Sequence, residues 1–125
     1  MIEMKLELVP VPVSDVDRAI EFYTKKVGFN LDHDYRVTPK LRFVQLTPPG
    51  SACSLVMGEG VTDEMKPGSQ RGLQMVIKNA QKAHDELKKN GLDVSDVDKQ
   101  DWGNFVYFAD PDGNTWALQE LVKKK

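Results

Sequence analysis

Between Met4 and Val13 the chain alternates. Leu6, Leu8, Pro10 and Pro12 fall on one face, and Val9, Val11 and Val13 on the other. A period of two is the pattern of a β-strand. Pro10 and Pro12 have no amide proton for a ladder, so the strand is predicted to be at an edge or irregular there. The period then changes. Ser14 is the predicted N-cap of a helix with Asp17 in its first turn. Val16, Ala19, Ile20, Tyr23 and Val27 form one helical stripe, with Asp17, Arg18, Glu21 and Lys25 on the wet side. Gly28 supplies the stop. Strand-like segments follow at 30–36, 41–47 and 52–57, the last two joined by the turn Pro48-Pro49-Gly50.

The same plan then recurs. A stretch rich in Gly, Pro and charge, about 58–71, reads as a surface linker. Beyond it Leu73, Met75 and Ile77 alternate with Gln74 and Val76. Asn79 caps a helix whose buried stripe is Ala80, Ala83 and Leu87, and Gly91 ends it where Gly28 ended the first. Segments 92–97, 104–109 and 114–121 are strand candidates. The last two are joined by Asp110-Pro111-Asp112-Gly113, where Pro111 presets φ, Gly113 accepts positive φ and Asp110 can bond back to the turn amides. The order is βαβββ twice, an α+β chain. It is read as a single domain over 1–125, with module one about 1–60 and module two about 72–125. A doubled module of this kind makes a seam or cleft between its halves, which is where function is expected.

Composition narrows the class. A chain of 125 residues is large enough for one real core. The net charge of −2 is spread evenly, and no basic stripe appears outside Lys123-Lys124-Lys125, so a nucleic-acid surface is not expected. That tail is expected to be a solvated end. The single Cys53 excludes an internal disulfide and fits a reducing compartment. No stretch has the length and apolarity of a leader or a membrane span, so a soluble, cytoplasmic protein is expected.

Three motifs, taken in order, carry a family resemblance. They are Val13-Ser14-Asp15 before a helix containing Ala19, Phe22 and Tyr23; then Val27-Gly28-Phe29; then Phe108-Ala109-Asp110-Pro111-Asp112-Gly113-Asn114 before a final strand. With these the chain resembles the vicinal oxygen chelate superfamily, which includes glyoxalases, bleomycin-resistance proteins and extradiol dioxygenases. The resemblance covers nearly the whole chain. It implies two tandem βαβββ modules forming a curved mixed sheet around a cleft, with the helices outside. It also implies a homodimer, in some relatives with the cleft completed by the partner. In enzymatic relatives the cleft holds a divalent metal such as Ni, Zn, Mn or Fe, bound by His, Gln or Glu from four strands.

Carried over position by position, those ligands fall at Leu8, Ser54, Gly72 and Ala117. None is a carboxylate or an imidazole, and a divalent ion needs such groups to replace its water shell. The family metal is therefore expected to be absent. Reserve ligands are Gln74, two residues beyond a vacated position, Glu120, which should face away from Ala117, and His33. In Asp32-His33-Asp34 the imidazole should face opposite to both carboxylates. His84 is expected to be exposed. The cleft is then lined by Leu8, Pro10 and Ser54 from the first module and by Gly72, Gln74, Thr115, Ala117 and Gln119 from the second, with Trp102 and Tyr107 as lining or lid. Phe108 and Trp116 are assigned to the core. Such a pocket suits a small organic ligand and lacks an obvious general base. Two readings stay open: a metal-free protein binding a small apolar or aromatic compound, as resistance-type relatives do, or a metal-dependent lyase, isomerase or dioxygenase using a shifted set such as Gln74, Glu120 and His33.

Overall fold

In a computed structural model that describes residues 1–122, the doubled plan becomes two βαβββ modules. The tail Lys123-Lys124-Lys125 lies outside the described residues. Module one comprises β1 (Leu8–Pro10), α1 (Val16–Glu21), β2 (Asn30–Thr38), β3 (Leu41–Thr47) and β4 (Ser54–Glu59). Module two comprises β5 (Leu73–Ile77), α2 (Ala80–Lys89), β6 (Asp98–Gln100), β7 (Gly103–Ala109) and β8 (Thr115–Leu121). Each module makes a four-stranded mixed sheet, in the orders β1-β4-β3-β2 and β5-β8-β7-β6. The β1–β4 and β5–β8 pairs are parallel and the others antiparallel.

Four local expectations change, three of them through a tertiary partner. The first strand shortens from 4–13 to Leu8–Pro10. Its outer carbonyls are met by the linker instead of a strand: Gln70 Nε2 donates to Pro10 O at 2.9 Å and the Gly68 amide to Pro12 O at 3.1 Å. The helix N-cap is Asp15, which accepts from the Arg18 amide at 3.0 Å. Ser14 reaches across to module two, its hydroxyl donating to Asp112 Oδ1 at 2.5 Å and its amide to Asp112 Oδ2 at 3.1 Å. Beyond Glu21 the helix widens to a π-helix over Phe22–Val27, closed by the Gly28 and Phe29 amides on Tyr23 O. Phe22 as well as Tyr23 is buried in the core, where the predicted stripe included only Tyr23. Segment 92–97 is not a strand. Leu92 is buried, Val94 and Val97 pack against the core, and Ser95 alone exchanges hydrogen bonds with Tyr107 of β7.

Both modules share one core. Val44, Leu46, Leu55 and Met57 of the first sheet join Val106, Phe108, Trp116 and Leu118 of the second in a single cluster. Phe22, Tyr23 and Phe29 fill the middle, with the Tyr23 ring 5.5 Å from Phe29 and 5.9 Å from Trp116. A polar tie runs through it. Tyr23 donates to Asp110 Oδ2 at 2.7 Å, and Trp116 Nε1 donates to the Tyr23 hydroxyl at 2.9 Å. Asn114 Nδ2 bridges Asp110 Oδ2 (2.7 Å) and Pro12 O (2.8 Å). The other Asp110 oxygen accepts the amides of Asp112 and Asn114. Burial first, and the Asp110 charge second, push the Tyr23 phenol far above its ordinary value, so it remains a neutral donor. The Asp-Pro-Asp-Gly-Asn turn is thus the joint between the modules.

Candidate functional site

Because the helix-bearing faces of both sheets meet in that core, the opposite faces point away from it. Ladder register identifies what they carry, since directly paired residues share a face. On the first sheet one row crosses Pro10, Val56, Gln45 and His33, and the next holds Leu8 and Ser54. On the second, one row crosses Gln74, Ala117 and Tyr107, and the next crosses Val76, Gln119 and Phe105. The sequence-derived lining residues Leu8, Pro10 and Ser54 therefore lie together, as do Gln74, Ala117, Gln119 and Tyr107. Gly72, Tyr107, Thr115 and Ala117 frame a shallow, mostly apolar concavity of about 350 Å³. A larger groove of about 440 Å³ runs elsewhere, between the edge of β5, α2 and the 48–51 turn. Trp102 sits on the β6–β7 turn with its side chain exposed, and its carbonyl accepts from Gln119 Nε2 at 3.0 Å. Phe108 and Trp116 are buried, as expected.

The first sheet carries a polar cluster that the sequence did not reveal. Leu31 pairs with Leu46 and His33 with Gln45, so Asp32 is an extra residue in a bulge. The bulge turns Asp32 to the same side as His33, against the expectation that the two would oppose. Asp32 accepts from the Thr47 hydroxyl, Thr47 lies 2.7 Å from Ser54 Oγ, and Gln45 Nε2 lies 3.2 Å from Ser54 Oγ. Asp34 keeps the expected opposite direction, where Arg42 holds it by two bonds of 2.9 Å. That bonding, before any other cause, lowers the Asp34 carboxyl below its ordinary value. Alternation within β3 places Phe43, Gln45 and Thr47 opposite Val44 and Leu46, which was the available signal for Gln45 and Thr47. Nothing in the sequence announces the bulge. On the second sheet Gln74 Nε2 donates to Gln119 Oε1 at 2.5 Å. The Tyr107 hydroxyl donates to Asp98 at 2.8 Å, and burial, then Asp98, raise its pKa.

The residues present do not fit the superfamily's divalent metal. Leu8 is seven residues before the cap Asp15, as Gly72 is before the cap Asn79. Gln45 pairs with Val56 as Tyr107 pairs with Ala117. The module-one counterpart of Ala117 is therefore Val56, two residues from Ser54 on the same face. Leu8, Val56, Gly72 and Ala117 offer no side-chain donor atom. The shifted set is not assembled either. Glu120 turns to the helix side, where its Oε1 accepts the first amide of α2, that of Ala80, at 2.7 Å and its Oε2 accepts from Asn104. Gln74 therefore stands without Glu120, and the His33 ring stacks on Tyr35 at 5.6 Å in the other sheet. Among the described residues no three His, Cys, Asp or Glu side chains form a metal-holding group. His84, expected in solvent, has a side chain only 12 % exposed and contacts Asp85 and Asp96.

Comparison with known proteins gives the same architecture. The model of the glyoxalase/bleomycin resistance protein/dioxygenase superfamily matches residues 5–118. TnmS3, an antibiotic binding protein from Streptomyces sp. CB03234, superposes with a TM-score of 0.87 at 34% identity, covering 98% of this chain and 99% of its own. A glyoxalase/bleomycin resistance protein from the same organism superposes with a TM-score of 0.80 at 35% identity, covering 92% and 99%. An uncharacterized protein of Bacillus subtilis (strain 168), YetH, is 29% identical over 116 residues, 90% of this chain and 94% of its own. The chain belongs to the glyoxalase/bleomycin resistance protein/dioxygenase superfamily.

Proposed function

We propose that this protein binds a small apolar or aromatic compound, without a divalent metal, in a cup completed by a second copy of the chain. The observation that carries the reading is the chemistry of the cup faces. Hydrocarbon or hydrogen stands at Leu8, Val56, Gly72 and Ala117, and amides, hydroxyls and the Asp32 carboxylate stand around them. Burial supplies affinity in such a surface, and a few polar groups orient the ligand. The likeness to TnmS3, an antibiotic binding protein, supports a small organic ligand. Two features support a second copy. Each cup face looks away from the shared core, and Tyr35 on the first face and Val76 and Tyr107 on the second are exposed. Ahead of β1, Ile2, Met4 and Leu6 are 78%, 81% and 67% exposed, an apolar row that none of the described residues covers.

The test is metal retention. Purified protein is incubated with nickel, zinc or manganese, desalted and assayed for bound ion. Only substoichiometric metal is expected. Stoichiometric retention that Gln74→Ala or Glu120→Ala abolishes would overturn the metal-free reading.

A further inference from the structure

We propose that residues 1–7 of one copy add a strand to the free edge of β5 in the second copy, so that each chain extends its partner's cup wall with Met4 and Leu6. The inference rests on the second-copy reading above and adds the contact that joins the copies. It follows from two stretches of main chain that a single copy leaves unmet.

The first is β5, which pairs with β8 alone. Beyond that ladder no described residue hydrogen-bonds to the main chain of Leu73–Ile77. The equivalent edge in module one is closed, because Gln70 and Gly68 of the linker meet Pro10 O and Pro12 O. A strand edge with unmet amides and carbonyls is a template for another strand. The second stretch lies ahead of β1. There Ile2, Met4 and Leu6 alternate with Glu3, Lys5 and Glu7, a strand pattern. Among the described residues only the Ser54 amide, on Glu7 O, bonds to the main chain of residues 1–7.

The two stretches fit each other in one register. Like edges of like modules, brought together with their cup faces level, are related by a two-fold axis normal to the sheet and run antiparallel. Pro10 and Pro12 have no ladder proton to give, so the ladder lies ahead of them. With Glu7 against Leu73 and Glu3 against Ile77, the segment spans all of β5. Leu6 then lies beside Gln74, and Met4 beside Val76. Alternation puts Leu6 and Met4 on the face of Leu8, and Gln74 and Val76 are on the second cup face, so apolar side chains meet the exposed Val76. Lys5, on the other face, comes opposite Met75. There the groove of about 440 Å³ offers Met75, Ile77 and Leu87 to its stem and the exposed Glu86 to its ammonium. A slip of one residue would turn Lys5 and Glu7 into the cup and lose both matches.

The test combines Met4→Cys with Val76→Cys in a Cys53→Ser background and bridges the thiols with a short bismaleimide. A cross-linked product of twice the chain mass is expected on a denaturing gel from the double variant and not from either single one. Val76→Asp, checked for native circular dichroism, is expected to weaken the pairing of copies about tenfold or more in sedimentation velocity. A bridge confined to one chain, or as much dimer product from Met4→Cys alone, overturns the strand addition. So does a parent that sediments at twice the chain mass while the double variant stays unlinked or Val76→Asp pairs as tightly as the parent; each of these outcomes leaves the second copy standing. A parent that sediments as single chains at every concentration removes the second copy and this contact together.

Discussion

Deleting one oxygen atom at Tyr23 would show how much of the fold rests on a single residue. In Tyr23→Phe the Trp116 indole N–H loses its acceptor and Asp110 loses a donor, both inside the shared core. An unpaired buried donor costs about 1–3 kcal/mol. Urea unfolding should register a loss in that range, with Trp116 as the internal reporter, and a variant as stable as the parent would contradict the tie. The remaining partners of Asp110, the amides of Asp112 and Asn114 and the Asn114 side chain, should keep the turn itself in place.

Among the elements, the linker between the modules is more than a tether. Gly68 donates its amide to Pro12 O and has φ +80°, and a Cβ built there would sit 2.0 Å from the Asp112 carbonyl oxygen. Gly50 has nearly the same backbone, φ +79°, with nothing within 4 Å. Gly50→Ala should therefore cost only the left-handed penalty, about 1 kcal/mol. Gly68→Ala should cost clearly more, because backbone must move as well. Denaturant midpoints of the two variants decide the matter, and equal losses would deny the linker its structural role. The elements also show what the sequence could express. β3, β5 and α2 were legible because their periods are unbroken and their caps and stops are local. The shortening of β1, the shift of the N-cap from Ser14 to Asp15 and the loss of a strand at 92–97 depend on Gln70, Asp112 and β7, which no local pattern contains. Alternation placed Leu8 with Pro10, and Ala117 with Gln119, on the same sheet faces that ladder pairing gives them. It could not separate Ser54 from Val56, since a two-residue shift preserves the face and only ladder pairing sets the register. Asp32 escaped because a bulge reverses the direction that alternation assigns.

For the whole molecule, the proposed pairing of copies makes a direct prediction. Sedimentation velocity should give a particle of twice the 14.1 kDa chain. Deleting residues 1–6 should weaken the pairing and leave secondary structure intact, because those side chains contribute nothing to the core of their own chain. A parent protein that sediments as single chains at every concentration would remove the second copy from the proposal. The common core carries one more implication. Phe22, Tyr23 and Phe29 rest on Trp116 and Phe108, so each half of the duplication borrows its inner surface from the other. A half-length version of such a chain would lack that wall and would have to find it on a twin.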